Sequence, residues 1–153
     1  MQSICLQDLT TLSINIKGTN IWDINTFCEV FTQAHGLKYV RLYDFATVLF
    51  CILLARDSHS KQVRNETDVQ RSEGALFPNL QYMMMMQVSF SLVYDLDDTP
   101  FLPLRELLPR TLQERKALGV PLQSLDIRTH NPMSRKLLDE LKEIVPIAHW
   151  WSL

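Results

Sequence analysis

Catalysis by side chains needs groups that a fold can bring together, and such groups are sparse in this chain. His35, His59, His130 and His149 stand far apart, with no spacing that suits a shared metal ion or a nucleophile and its base. Asp95, Asp97 and Asp98 cluster, and carboxylates so placed can hold a divalent cation. The glycine and terminal glutamate of a calcium loop are missing, however, so a solvated turn ahead of a helix is expected. Cys5, Cys28 and Cys51 are odd in number, lie in or beside apolar segments and lack CxxC spacing. Buried free thiols in a reducing compartment fit that pattern better than disulfides or zinc. No GxSxG, phosphate-binding glycine loop or dinucleotide fingerprint occurs, and the chain holds only four glycines with which to build one. No catalytic residue, metal ligand or cofactor is expected.

Recognition of another polypeptide uses different residues, chiefly aromatics, Met and Arg held side by side. These do recur on a spacing. A short phrase appears four times: a large aliphatic residue, two others, an apolar residue, one other and a second apolar residue. It reads Leu9–Leu12–Ile14, Leu37–Val40–Leu42, Leu80–Met83–Met85 and Leu122–Leu125–Ile127. The period of two between the last positions is that of a strand with one buried face. With those residues inward, the alternating ones face outward and align in three rows: Thr11, Tyr39, Tyr82, Ser124; Ser13, Arg41, Met84, Asp126; and Asn15, Tyr43, Met86, Arg128. Tyr39, Arg41, Tyr43, Tyr82, Met84, Met86, Asp126 and Arg128 are the candidate protein-binding residues. Two readings of Met83 to Met86 stand open: Met84 and Met86 offer a soft apolar surface to a partner, or the run is buried on both faces.

The elements that must hold these rows follow from the sequence between them. Each phrase precedes a stretch that can carry a helix, so the unit is a strand followed by a helix. One unit cannot bury its apolar face alone, and neighbours must stack. The expected fold is therefore α/β, a leucine-rich-repeat-like solenoid fragment of about four parallel strands backed by helices. Its units span about 5–36, 37–76, 77–119 and 120–153. The leading leucines are 28, 43 and 42 residues apart, so the period is loose.

In the first unit Ile24, Phe27, Cys28, Phe31 and Ala34 share a helical face after Asp23, with Gly36 as the stop. In the second, the apolar helix 45–55 is capped by Asp44 and followed by 56–76, four basic and four acidic residues without an aromatic, expected as a mobile insertion. The third strand is expected from Leu80 to about Val88. The helix near 103–118 is expected to start its main part at Pro109 and stop at Gly119. In the last unit Ser134 caps a helix striped by Leu137, Leu138, Leu141, Ile144 and Val145, and Ile147 to Trp151 closes the end of the stack. Nothing before residue 9 reads as a cap for the other end, which suggests a C-terminal part of something longer or a cap borrowed from a partner.

Composition narrows the partners. Hydrophobic residues at 46% and charged residues at 21% are globular, and 15 Lys and Arg against 17 Asp and Glu, interspersed, give a net charge of -2. No basic face is available to neutralise a phosphate backbone, so nucleic acid is not an expected partner. The longest apolar run, Phe45 to Ala55, is shorter than the ~20 residues that cross a bilayer, and no membrane association is expected. No leader reads before the first phrase, which points to an intracellular protein, cytoplasmic or nuclear.

Three segments carry a resemblance: Phe77-Pro78-Asn79-Leu80, the run Leu112 to Leu122 with Arg115-Lys116 and Gly119-Val120-Pro121-Leu122, and the run Leu137 to Pro146, closed by Trp150. They resemble the C-terminal leucine-rich-repeat-like region of fungal F-box proteins, well over 77–151 and more weakly over 5–55. There an Arg-Lys helix, a Gly-x-Pro-Leu turn, a strand, a further helix and a Val-Pro strand ending in Trp follow in that order. The resemblance implies a substrate receptor of a cullin-type ubiquitin ligase, in which repeats hold the target and a separate F-box docks on the linker subunit. No F-box reads in these residues, so ligase docking is expected only through one outside them. The asparagine ladder of regular repeats is also absent, its position held by Lys17, Phe45, Val88 and His130. The alternatives from the residues themselves are a repeat scaffold unrelated to ubiquitin and a small α/β enzyme.

Overall fold

In the computed structural model, residues 6–16, 24–31, 33–62, 76–91, 95–96, 99–100 and 102–153 are described. Five strands form one parallel sheet: β1 (Thr11–Asn15), β2 (Tyr39–Tyr43), β3 (Tyr82–Met86), β6 (Ser124–Thr129) and β7 (Ile147–Ser152), side by side in that order. Between them run α1 (Ile24–Phe31), α2 (Phe45–Gln62), α3 (Leu104–Ala117) and α4 (Arg135–Ile144). Two-residue strands β4 (Asp95–Leu96) and β5 (Thr99–Pro100) pair antiparallel between β3 and α3. The architecture is α/β, a parallel sheet backed by helices.

The four phrases set the core. Leu37, Leu80 and Leu122 are buried just ahead of their strands, and Leu9 is half-buried in the same place. Val40, Leu42, Met83, Met85, Leu125 and Ile127 then point inward and share a core with Leu49 and Phe50 of α2, Leu108 and Leu112 of α3 and Leu141 of α4. The outward residues between them are exposed or half-buried. Burial thus has period two on the strands and falls on the helix side only, which is what a sheet covered on one face requires.

Adjacent strands enter the sheet in one repeated way. The carbonyl of Thr10 accepts the N–H groups of both Lys38 and Tyr39, that of Lys38 accepts Gln81 and Tyr82, and that of Gln81 accepts Gln123 and Ser124. At the last junction Pro146 has no N–H, and Ile147 alone donates to Gln123. Strand exits repeat as well. Asp44 and Gln87 take φ of 44° and 55° and donate to the carbonyls of Met86 and Arg128 on the next strand. Where a ladder asparagine is absent, Thr129 donates from Oγ1 to the Val88 carbonyl at 2.7 Å and Asn131 donates to the same oxygen at 3.3 Å.

Several elements differ from expectation for identifiable reasons. The sheet has five strands, because Ile147–Ser152 adds to β6 instead of merely closing the stack. Helix α2 continues to Gln62, seven residues into the expected insertion, since adding a residue to an established helix costs little once the first turn is made, even for middling helix formers such as Ser58 and His59. Residues 63–75 of that insertion lie outside the described residues. Helix α3 starts at Leu104, not Pro109. Pro103, at φ -57° and ψ 149°, sets the start, and the buried stripe Leu104, Leu107, Leu108 and Leu112 carries the helix through Pro109. Strand β3 begins at Tyr82 and ends at Met86, where the left-handed Gln87 turns the chain. Helix α1 ends at Phe31, leaving Ala34 beyond it. Gly36 does not stop that helix; a Cβ there would stand 2.7 Å from the Gln7 carbonyl oxygen, so clearance is what it supplies. Ser134 caps α4 as expected, its Oγ accepting the Leu137 N–H at 3.2 Å.

Candidate protein-binding face

The strand registers place the outward residues in the three rows read from the sequence. Thr11, Tyr39, Tyr82 and Ser124 are paired in turn, as are Ser13, Arg41, Met84 and Asp126, and Asn15, Tyr43, Met86 and Arg128. Parallel neighbours lie about 4.8 Å apart, close enough for side chains in a row to touch. Tyr39 and Tyr82 do so, their rings stacked with centroids 4.5 Å apart and 18° between planes. Tyr39 is 50% exposed. Met84 and Met86 are half-buried while Met83 and Met85 are buried, and among the described residues no helix covers the outward side. Burial therefore alternates along the methionine run, inward residues buried and outward ones half-buried.

Charge on the face is concentrated at one corner. Arg128 donates to Asp126 Oδ2 from Nε at 3.1 Å and from Nη2 at 2.8 Å. That hydrogen bond and the carboxylate charge raise the Arg128 pKa further above its ordinary value and fix the guanidinium against the sheet. The other oxygen, Asp126 Oδ1, is buried and has no hydrogen-bond partner among the described residues. Its lone pairs are shielded from solvent, so the carboxylate meets the face through the Arg128 pair alone. Arg41, two strands away in the same row, is exposed.

Sequence reasoning missed one column. Strand β7 extends the rows with Ile147, His149 and Trp151 beside Ser124, Asp126 and Arg128. His149 and Trp151 lie near-parallel, 10° between planes with centroids 6.1 Å apart. The signal was present in the alternation of Ile147, His149 and Trp151 after Pro146, the same period that marked the other strands.

The groups considered for chemistry are dispersed. His35 and His130 are exposed, and His130 Nδ1 lies 2.8 Å from the Leu153 carbonyl oxygen. Cys51 is a buried free thiol, and burial pushes its pKa up to about 12. Cys5, Asp97, Asp98 and the side chains of Cys28, His59 and Asp95 lie outside the described residues. Among those described, no three His, Cys, Asp or Glu side chains converge on a metal position. An open cleft of about 640 Å³ between α3 and α4 sets Arg105, Arg110 and Lys116 against Glu106, Glu140 and Glu143, with neither histidine nor cysteine in its lining. No helix among the described residues is long and apolar enough to cross a membrane. No family model, curated protein or solved structure matches this chain.

Proposed function

We propose that the chain is a non-catalytic protein-interaction module that takes a polypeptide segment across the open face of its sheet. The observation that carries this is the alignment of Tyr39, Tyr82, Met84, Met86 and Arg128 on a face that no described helix covers. Tyrosine and arginine bring large contact area with polar tips, and the methionines adapt to what lies on them.

At a finer level the chain is a leucine-rich-repeat-like solenoid fragment. Support comes from strands that each lie beside their predecessor and from strand entries that repeat the same hydrogen bonds. The finest reading, the target-recognition part of an F-box-type ubiquitin-ligase receptor, rests on the sequence resemblance over 77–151. The Arg-Lys pair of that resemblance joins successive segments here: Arg115 donates to the carbonyls of Leu76 and Phe77, and Lys116 Nζ donates to that of Glu143 at 3.1 Å.

Substituting Tyr39, Tyr82 and Met84 together by Ser tests the face. Partner capture in affinity purification should be lost with the far-UV circular dichroism spectrum unchanged. Retained capture refutes the face, and a collapsed spectrum shows that these side chains hold the core. Co-purification of a ligase linker subunit with the endogenous protein tests the receptor; its absence favours a repeat scaffold unrelated to ubiquitin.

A further inference from the structure

The outer edge of β7 has no neighbouring strand among the described residues. Ile147 and Leu153 donate their N–H groups to the carbonyls of Gln123, just ahead of β6, and Thr129, its last residue, at 3.2 Å each. That phase turns Ile147, His149, Trp151 and Leu153 toward β6, so Ala148, Trp150 and Ser152 direct their N–H and C=O groups to the open edge. Natural edge strands are guarded by lysine, proline or a bulge. The run Ile147 to Leu153 has none of these and no acidic or basic side chain other than His149.

The geometry points to a second copy of this chain as the occupant, pairing antiparallel edge to edge with Trp150 on the two-fold axis. In that register Trp150 faces Trp150 of the other copy and Ala148 faces Ser152, forming about six hydrogen bonds that use every backbone group left open on the edge. On the outward face Ile147 meets Leu153 and His149 meets Trp151. Ile147, Trp151 and Leu153 are 50%, 54% and 49% exposed in the single chain, and each gains an apolar or aromatic neighbour. On the inward face two tryptophans meet at the centre and two small residues flank each side. Trp150 Nε1, buried without a hydrogen-bond partner among the described residues, lies at that centre. The contact is isologous and closes at two, joining two five-stranded sheets into one of ten strands. Charge permits it, because no acidic side chain or lysine or arginine stands opposite its own kind on this strand.

Sedimentation equilibrium of the intact chain should show a mass rising with concentration from that of one copy to that of two. Hydrogen exchange at the Ala148, Trp150 and Ser152 amides should slow in step. Ser152→Pro removes one open-edge donor without touching the β6 ladder, and Ile147→Lys adds an edge lysine. Each variant should stay at single-copy mass with an unchanged circular dichroism spectrum, while Tyr39→Ser leaves the association intact. The proposal is overturned by a wild-type chain that stays at single-copy mass at the highest concentration reached. A dimer that persists in both edge variants, or one in which the three amides exchange as fast as in the single chain, overturns it equally.

Discussion

Arg115, in the last turn of α3, donates through Nη2 to the carbonyl of Phe77 at 3.0 Å and so ties the end of a helix to the segment that enters β3. Phe77 takes a φ of 52° with its ring stacked on Phe50, and a second bond from Nη1 holds the Leu76 carbonyl at 2.7 Å. Arg115 is 2% exposed. Arg115→Ala leaves both carbonyls without these donors and should destabilise the fold by about 3 kcal/mol, read as a lower urea midpoint. Arg115→Lys should recover only part of that, since an ammonium lacks the fork that reaches two oxygens.

The methionine run offers a contrast within one strand. Met85 is fully buried among the helices and Met84 faces outward. Met85→Ala should cost about 3 kcal/mol through lost burial and a residual cavity, and Met84→Ala under about 1 kcal/mol. Equal costs would mean that the outward side is covered.

Two glycines should respond differently. Gly36→Ala drives a Cβ into the backbone of the segment before β1, 2.7 Å from the Gln7 oxygen, and should cost about 2 kcal/mol or displace that segment. Gly119, at φ 78° with nothing within 4 Å, should cost about 1 kcal/mol on mutation to Ala through backbone conformation alone. Thermal melts of the two variants separate the effects.

Cys51 links stability to alkaline pH. Its thiol rises from 9.0 to about 12 on folding because burial disfavours the thiolate. The unfolded chain therefore loses this proton first, so the contribution is complete below pH 9.0 and is lost as pH climbs toward 12. Urea midpoints across that window should fall more steeply for the wild type than for Cys51→Ala. Reaction with a thiol reagent at this site should await unfolding.

Strands were the legible part of this sequence because each inward pair, such as Val40 and Leu42, repeats at period two beside a leading leucine. Register followed, since slipping by one residue would turn Met83 and Met85 out of the core. Helix ends were less legible, because they answer to tertiary contacts. Pro109 is tolerated where Leu108 and Leu112 are packed, and Arg56 to Gln62 extend a helix begun by residues that are apolar but for Thr47. In the candidate face, Tyr39 to Arg128 were readable from alternation. His149 and Trp151 escaped because β7 lacks the leading leucine that marks the other strands.

Because every strand of the main sheet lies beside the main-sheet strand that precedes it in the chain, its pairings join consecutive strand-and-helix segments and no strand waits on a distant end of the sequence. Loss of an outer strand should then remove one set of strand contacts while the inner pairings keep their partners.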